Sequence, residues 1–397
     1  MSVALGEIVT PVNTWNPERD TPGKSFIYID LSAVDQNTKT IVGAREVPCA
    51  EAPSRARQIV AAGDVLVSTV RPNLNGVARV PLEMDGATAS TGFCVLRPRP
   101  EKLDGAYLFH WVRSPRFIAE MVRRATGASY PAVSDGIVCS TKLPLLPLPE
   151  QQRIAEVLDR TEALRAKRRA ALDQLDTLIQ ALFLDIFDDP RHGEWPRTAL
   201  PNAFWFQEGP GVRMWQFKAE GIKLLNVGNI EKDGSLNLTK TDRYLAQEEA
   251  FGKYKHFLVD AGDLVIASSG ISFDEDGMLR TRGAFVSEQQ LPLCMNTSTI
   301  RFKALDNVSD LRFLWAWLNS REFRAQITKC VTGSAQQNFG PSHLSSLMIT
   351  LPPLAVQRWF ARRVAAVEKL KTVHRASLAE MDALFASLQH RAFRGEL

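Results

Sequence analysis

Two long stretches of the chain carry apolar residues at steps of three and four, which is the spacing of one face of a helix. The first runs from Glu150 to Phe187 without glycine or proline and follows Pro144, Pro147 and Pro149. At about 1.5 Å per residue, this helix would extend roughly 57 Å, more than an ordinary globular domain needs. Its predicted apolar stripe consists of Ile154, Leu158, Thr161, Leu164, Leu172, Leu175, Ile179, Leu182 and Ile186.

The second stretch, from Val356 to about Phe393, repeats this pattern. A helix of this length needs an equally long partner to bury its stripe, and the first helix is the candidate within the chain. Because a whole globular segment separates them, we expect an antiparallel coiled coil with one globular domain at each end. The pattern alone also fits a dimerisation arm. The second stripe consists of Phe360, Val364, Val367, Leu370, Leu378, Met381, Leu384, Phe385 and Leu388.

The chain also repeats itself at an offset of 206 residues, a period that indicates two similar structural units. The first copy supplies Leu108, Trp111, Val112, Ser114 and Phe117, and the second supplies Leu314, Trp317, Leu318, Ser320 and Phe323. Upstream the offset falls to 199, where Asp64 of an Ala-Gly-Asp tripeptide matches Asp263. Each unit is therefore predicted to be a globular region followed by one long helix.

The globular regions mix strand and helix patterns, which predicts an α/β (α+β) fold in two tandem copies. SFIYIDL, DVLVSTV and FCVLR have strand composition, while AYLFHWVRSPRFIAEMVRR is helical with a break near Pro115. The Ala-Gly-Asp tripeptides fit a structural turn before a buried strand. We expect globular domains at 1–147 and 189–350, a helix at 148–188, and a second helix with the C-terminal tail at 351–397.

The composition limits the classes of function. The formal charge is only +4, from 48 basic and 44 acidic residues, so contact with a nucleic acid would require a local basic patch. The N-terminal segment lacks a secretory leader and no run of 18 apolar residues occurs, so we expect a cytoplasmic protein. Five scattered cysteines without a CxxC pair fit reduced thiols better than a disulfide framework or a zinc site.

No catalytic or cofactor motif emerges from the sequence. Neither Gly23 nor Gly252 has the glycine five residues earlier that a phosphate loop requires, and no HExxH or Cys/His metal spacing occurs. Gly209 and Gly211 lack the third glycine and the clear preceding strand of a dinucleotide or methyl-donor loop. The acidic run ending at Asp276 fits a solvated loop better than a metal site. We therefore expect a non-catalytic binding protein that holds neither cofactor nor metal.

Two places in each copy carry side chains suited to reading DNA, where Arg pairs with guanine and Asn or Gln pairs with adenine. One place follows the strand after each Ala-Gly-Asp turn, and the other follows a Thr-Gly pair in each copy. Both are loops on a predicted rigid frame, and they differ between the copies. The candidate DNA-binding residues are Arg71, Asn73, Asn75, Ser129 and Tyr130 in the first copy, and Ser269, Arg280, Arg282, Gln336, Gln337 and Asn338 in the second.

The basic cluster Arg165, Lys167, Arg168 and Arg169 lies in the middle of the first long helix. A solvated face or a contact with a partner is favoured there over DNA binding.

The starts and bodies of the two long helices resemble the conserved regions of type I restriction-modification specificity subunits. The segments that carry the resemblance are LPLLPLPEQQRIAEVLDRTEALRAKRRAALDQLDTLIQALF, LPPLAVQRWFARRVAAVEKLK and MDALFASLQHRAFRGEL. The resemblance covers the whole architecture, although the detailed similarity is confined to the helices and their starts. Val356 departs from the pattern, because the family usually has Glu at this position.

The resemblance implies that each variable region is a target-recognition domain reading one half of a bipartite double-stranded DNA site. It also implies that the helices set the gap between the halves and that two methyltransferase subunits clasp the chain. Restriction and translocation subunits would join for cleavage, and methyl donor, ATP and magnesium would belong to those partners. The chain itself would be the non-catalytic subunit of the complex.

Two rival interpretations remain at this point. One is a repeat-built scaffold or an RNA- or protein-interaction module without DNA specificity. The other, a fused nuclease, is disfavoured because we find no catalytic cluster of acidic residues with a lysine.

Overall fold

The computed structural model describes residues 2–21, 23–127, 129–187, 195–231, 233–270, 272–273, 279–330 and 338–397. The chain divides into two compact units. The first unit comprises Met1–Arg169 together with Ala376–Leu397, and the second comprises Ala170–Arg375. Each of the two longest helices therefore contributes residues to both units.

Within its described residues, the first unit contains ten strands and four helices of its own in addition to the start of a long helix. Its strands are β1 (Ser2–Ala4), β2 (Val9–Thr10), β3 (Ser25–Ile29), β4 (Arg45–Pro48), β5 (Ala56–Ile59), β6 (Val65–Ser68), β7 (Val77–Arg79), β8 (Thr88–Ser90), β9 (Phe93–Pro98) and β10 (Lys142–Pro144). Its helices are α1 (Pro17–Asp20), α2 (Gly105–Val112), α3 (Pro115–Arg124), α4 (Asp135–Cys139) and the long α5 (Leu148–Phe187).

The second unit repeats this element order with a few additions. Its strands are β11 (Arg197–Ala199), β12 (Phe204–Glu208), β13 (Ile222–Leu225), β14 (Tyr244–Leu245), β15 (Leu264–Ala267), β16 (Ser272–Phe273), β17 (Leu279–Arg280), β18 (Gly283–Phe285), β19 (Leu293–Met295), β20 (Thr299–Ala304) and β21 (Met348–Thr350). Its helices are α6 (Gln247–Phe251), α7 (Leu311–Leu318), α8 (Arg321–Cys330), α9 (Pro341–Ser345) and the long α10 (Leu354–Ala392).

The sheets of the two units correspond to one another. An antiparallel sheet of order β2-β9-β6-β7 in the first unit matches β12-β20-β15-β18 in the second. A parallel pairing of β3 with β8 likewise matches that of β13 with β19. The prediction of a mixed α/β chain built from two repeated units, each followed by a long helix, is confirmed.

The central strand β6 is apolar on both faces because each face is covered. Val65 and Val67 share a core with Trp111 of α2. Leu66, which points to the opposite face, shares a core with Ile29 of β3. This two-sided burial explains the unbroken apolar run of the strand, and β15 is buried in the same way in the second unit.

The Ala-Gly-Asp turn before this strand is held by its aspartate. Asp64 Oδ2 accepts a hydrogen bond of 2.8 Å from the Ala61 N–H, and Arg97 Nη2 of β9 lies 2.7 Å from the same oxygen. The hydrogen bond with Asp64 raises the pKa of Arg97. In the second unit Asp263 Oδ2 accepts in the same way from the Asp260 N–H at 2.8 Å. The aspartate therefore fixes the start of the strand in both units.

The predicted helix break at Pro115 is present. α2 ends at Val112, and α3 begins at Pro115 after Ser114, whose Oγ accepts a hydrogen bond from the Phe117 N–H at 3.3 Å. Proline suits the first turn of a helix because its missing N–H has no partner there. The same serine cap recurs in the second unit at Ser320.

A buried glutamine fastens each long helix to its own globular domain. Gln151 Oε1 accepts from the Asp104 N–H at 2.9 Å, and its Nε2 donates to the carbonyls of Lys102 and Leu146 at 2.9 and 2.8 Å. Gln357 makes the equivalent three bonds in the second unit. Both side chains are fully buried. The glutamine that follows each proline-rich segment is therefore a structural clamp.

Parts of both long helices contact each other within each unit. In the first unit Arg165 Nε of α5 lies 2.6 Å from Asp382 Oδ1 of α10. In the second unit Lys371 Nζ of α10 lies 2.6 Å from Asp176 Oδ1 of α5. Aromatic rings at the ends of the long helices contact the globular part of each unit instead. Phe393, just after α10, lies 5.3 Å from Tyr107 of α2, and Phe187 of α5 lies 4.9 Å from Phe313 of α7, between ring centroids.

The predicted apolar stripes are wrong at three leucines. Leu164, Leu370 and Leu384 are 53%, 52% and 53% exposed. The neighbouring cations take the inward positions instead, since the side chains of Arg165 and Lys371 are only 14% and 4% exposed. Their long aliphatic stems can be buried while the charged ends meet carboxylates. The sequence pattern did not distinguish these positions from their neighbours.

None of the helices in the described ranges combines the length and apolar character that crossing a membrane requires.

Candidate nucleic-acid interface

In the first unit, residues 69–76 and the described part of residues 126–133 lie side by side, and we call them the first loop pair. The Val133 N–H donates to the Thr69 carbonyl at 2.9 Å, and the Arg71 N–H donates to the Pro131 carbonyl at 2.7 Å. Val70 and Ala132 form a β-bridge between the two segments. The structure therefore brings together the two places that sequence analysis selected separately.

Arg71 has a constrained backbone in this pair of loops. It has a φ of 50° and Asn75 a φ of 48°, on either side of a short turn at Pro72–Leu74. Left-handed backbone is uncommon for residues other than glycine, and it occurs most often where the surrounding structure imposes it. The Arg71 guanidinium carbon lies 4.7 Å from the ring centroid of Tyr130, which is 67% exposed. The two predicted residues thus form one stacked, outward-facing unit.

The other candidates of the first loop pair differ in exposure. Asn73 and Ser129 are exposed, and Asn75 is half-buried. The Asn75 carbonyl accepts a hydrogen bond of 2.5 Å from Lys39 Nζ. Burial lowers the pKa of Lys39. Sequence analysis missed Lys39 because it lies in a distant turn, and only the fold brings it beneath the loop.

The second unit contains the corresponding pair of segments, residues 268–270 and 338–340, which we call the second loop pair. The Phe339 N–H donates to the Ser268 carbonyl at 3.1 Å. This bond is the repeat equivalent of the one from Val133 to Thr69. Ser269 is half-buried and Asn338 is exposed. Gln336 and Gln337 lie outside the described residues.

The two predicted arginines of the second copy lie beyond Ser269. Arg282 is half-buried, and its Nη1 donates to the Ile230 carbonyl at 3.2 Å. Arg280 belongs to β17, whose backbone pairs it with Ser272. The side chain of Arg280 lies outside the described part of the structure.

Ser269 also lines an open groove that sequence analysis did not find. The groove is formed by the connections after β12, β13 and β19, and its lining includes Val212, Arg213, Met214, Phe217, Asn226, Val227, Thr241, Arg243 and Asn296. The sequence indicates only that Gly209 and Gly211 do not form a dinucleotide or methyl-donor loop. The available signal was Arg213 next to Met214 and Trp215 in a loop opened by Gly209 and Gly211.

The chemistry available at these surfaces is that of non-covalent recognition. Guanidinium, amide and hydroxyl groups present donors and acceptors of the kind that meet base edges and phosphates. Across the residues that the structure describes, no group of three or more His, Cys, Asp or Glu side chains is placed to hold a metal ion.

The sequence matches a family model described as the type I restriction modification DNA specificity domain, over residues 55–174 and 217–381. These two segments together span more than half of the chain and fall one in each repeat. The chain therefore belongs to the type I restriction-modification DNA specificity family, and its role is DNA specificity in restriction and modification.

Characterised relatives agree with this assignment. The chain is 21% identical over 316 residues to the MjaVIII specificity subunit of Methanocaldococcus jannaschii, covering 76% of this chain and 72% of that protein. It is 21% identical over 342 residues to the EcoBI specificity subunit of Escherichia coli, covering 77% and 68%.

Solved structures show the same fold. One is a chain from work on complex assembly and conformational transition of the type I R-M system, with 25% identity, a TM-score of 0.62 and coverage of 100% and 98% of the two chains. Another is the S subunit of a type I restriction-modification system from M. genitalium, with 12% identity, a TM-score of 0.56 and coverage of 99% and 96%. The second likeness bears on the fold alone.

Proposed function

We propose that the chain is the non-catalytic specificity subunit of a type I restriction-modification complex and that it reads a bipartite double-stranded DNA site. The target-recognition domains, residues 1–147 and 189–350, each read one half of the site. The helices, at 148–188 and 351–397, set the spacing between the halves and dock two methyltransferase subunits. Restriction subunits join the complex for cleavage.

The observation that carries this proposal is the recurrence of one loop arrangement with different side chains. The hydrogen bond from Val133 to Thr69 and that from Phe339 to Ser268 join the two loops of each pair in the same way. One pair presents Arg71 stacked on Tyr130, whereas the other presents small polar groups such as Ser269. Identical frames with different contact groups are what reading two different half-sites requires.

The contacts between the long helices within each unit support the antiparallel pairing that we propose. Arg165 with Asp382 and Lys371 with Asp176 are equivalent pairs, because 165 and 371 differ by 206, as do 176 and 382. Such reciprocal ion pairs are expected when two equivalent helices run antiparallel, because residue i then meets j and the equivalent of i meets the equivalent of j. An antiparallel helix pair of fixed length can act as a spacer between the two domains.

Exposed leucines on the helices support docking of two identical partners. The first unit exposes Leu164 and Leu384, and the second exposes Leu370 and Leu178, which are their equivalents at the offset of 206. Exposed apolar side chains on otherwise polar helices often mark protein interfaces. Each unit therefore exposes an equivalent pair of leucines, so one kind of subunit can bind to both units.

The spacing role is tested by lengthening both helices together. Inserting four helix-forming residues after Arg169 and again after Arg375 adds about 6 Å to each helix. With DNA rising 3.4 Å per base pair along each strand, the gap in the methylated motif should grow by about two base pairs. Both half-site sequences should stay the same in methylation mapping.

The control substitutes four residues at each of the same two points and leaves the helix lengths unchanged. It should retain the original gap. An unchanged gap in the lengthened protein, with methylation intact, would show that the helices do not set the spacing.

A further inference from the structure

The connection between β12 and β13 in the second unit presents two large apolar side chains to solvent. Met214 is 84% exposed and Trp215 is 77% exposed. They lie in a single short turn, Met214–Gln216. Exposed apolar side chains adjacent to one another are unusual for a soluble protein and often mark a binding surface.

The turn is held in place on both sides, so the exposure of these side chains is built into the fold. Gln216 is 3% exposed, its Oε1 accepts from the Arg213 N–H at 3.1 Å, and its Nε2 donates to Tyr254 Oη at 3.1 Å. Val212, on the other side, is buried. Trp215 therefore projects from an anchored support, which limits the entropy lost when it binds a partner.

The start of the same connection is also fixed. A side chain at Gly209 would place its Cβ 2.2 Å from the Asn296 carbonyl oxygen, so only glycine permits this close approach. Thr297 Oγ1 donates to the Pro210 carbonyl at 3.0 Å. These contacts hold the connection against the loop after β19.

The surroundings of the turn are polar and basic. Met214 lies at the groove that Ser269 of the second loop pair also lines, and the groove contains Arg213 and Arg243, both of them exposed. Among the described residues that line it, none is acidic. Cationic lining residues without an acidic one, next to a reading loop, are complementary to a polyanion, and this favours a nucleic acid as the occupant of the groove.

We propose that the Met214–Trp215 turn is a DNA contact of the second recognition domain, with both side chains packed against bases or sugars of its half-site and with Arg213 and Arg243 on the adjacent phosphates. This inference rests on the proposed function. Aromatic and apolar side chains serve this purpose because every base offers an apolar face, and apolar wedges can also unstack a base step.

The first unit uses its tryptophan in the corresponding connection differently. Trp15, between β2 and β3, donates from Nε1 to Thr88 Oγ1 at 3.0 Å, and its ring lies edge-on to Phe26 at 5.6 Å. Trp15 is thus engaged within the domain. The contact we propose therefore belongs to one half-site, and its loss should leave recognition of the other half unchanged.

The test compares Trp215→Ala with the wild-type chain, each purified with its methyltransferase. Binding is measured with a fluorescein-labelled duplex carrying the motif found by methylation mapping. We expect affinity to fall by about tenfold or more, the loss typical of removing a base-stacking side chain. Trp215→Phe should retain most of the affinity. Arg213→Ala should remove one phosphate contact, so the slope of log affinity against log salt concentration should become shallower by about one.

The matched control is Phe251→Ala, which removes a 52% exposed aromatic side chain from the same unit outside the groove. It should bind as the wild type does. Wild-type affinity in Trp215→Ala, or loss of methyltransferase binding with DNA binding intact, would overturn this inference and leave the proposed function standing. If the wild-type complex shows no preference for the motif, both fail.

Discussion

At the scale of the residue, the two clamp glutamines show why single polar side chains matter in this fold. Gln151 satisfies one N–H and two carbonyls that the surrounding protein has removed from water. Burying an amide group costs little free energy when all its hydrogen bonds are made. Removing it leaves buried backbone groups without partners, and this lowers the free energy of unfolding. Glu150, in contrast, forms an ion pair with Arg153 on its own helix, with 2.6 Å between Arg153 Nη2 and Glu150 Oε1. This difference explains why Val356 can stand in the position equivalent to Glu150.

Replacing Gln151 with leucine should destabilise the first unit. Three backbone groups lose their partner, which predicts a fall of about 3 kcal/mol in the free energy of unfolding. Urea denaturation followed by circular dichroism measures the change. The neighbouring Gln152 is exposed, and its replacement by leucine should cost less than about 0.5 kcal/mol. Equal losses in the two variants would contradict the clamp.

Arg71 is the residue on which we expect recognition by the first domain to depend most. Arg71→Ala should weaken binding to the cognate duplex by about ten- to a hundredfold and relax the sequence preference in one half-site only. Tyr130→Ala should have a smaller effect in the same half, because Arg71 loses the ring on which it stacks.

Methylation mapping with the Arg71 and Tyr130 variants reports the half-site affected. Arg123→Ala, an exposed arginine on α3, is the control and should change neither half. Relaxed preference in both halves, or none in either, would exclude Arg71 as a base-reading residue.

The candidate site could be predicted from sequence only in part. The loops after β6 and after α3 could be found because each copy carries divergent polar residues on a shared frame. Lys39 could not, since its place beneath a loop depends on contacts between distant segments. The run from Arg213 to Trp215 was a signal in the sequence, but it does not show that the Trp215 side chain is exposed. For Gln336, Gln337 and the side chain of Arg280, which lie outside the described residues, the assignment stays a prediction.

At the scale of the element, the long helices were the most predictable feature of the chain. Absence of glycine and proline, with apolar residues at three- and four-residue steps, located both helices to within two residues at each end. Which residues face inward was less predictable. Arg165 and Lys371 turn toward the opposite helix because each finds a carboxylate there, a preference that hydrophobicity alone does not contain.

Charge reversal tests whether the helices pair as we propose. Lys371→Glu should lower the free energy of unfolding by about 1 kcal/mol, since it sets like charges opposite Asp176 and beside Glu368. Adding Asp176→Lys to the same chain should recover most of that loss. The coupling is read from a double-mutant cycle of urea denaturation.

The control for this cycle is Lys369→Glu, which reverses an exposed lysine on the same helix. It should show no coupling with Asp176→Lys. If the double variant loses as much free energy of unfolding as the two single variants lose together, Lys371 does not pair with Asp176.

At the scale of the whole molecule, the duplication explains how one chain can address two DNA sequences. The offset of 206 relates clamp glutamines, serine caps, ion pairs and aromatic contacts in the two units, so the frame is the same twice. The duplication could be detected in the sequence because the residues of the helices and of their caps keep the same spacing in both copies. The reading loops kept the frame but changed their side chains, and no pattern in the sequence specifies the bases they meet, in part because DNA shape also contributes.

The measurement that bears most directly on the central claim is long-read methylation mapping of DNA from cells that express this chain together with the methyltransferase subunit that we propose it docks. Cells that express the methyltransferase alone provide the comparison. The account predicts a bipartite, gapped adenine motif that appears only when both proteins are present. A continuous motif, or the same motif without this chain, would contradict it.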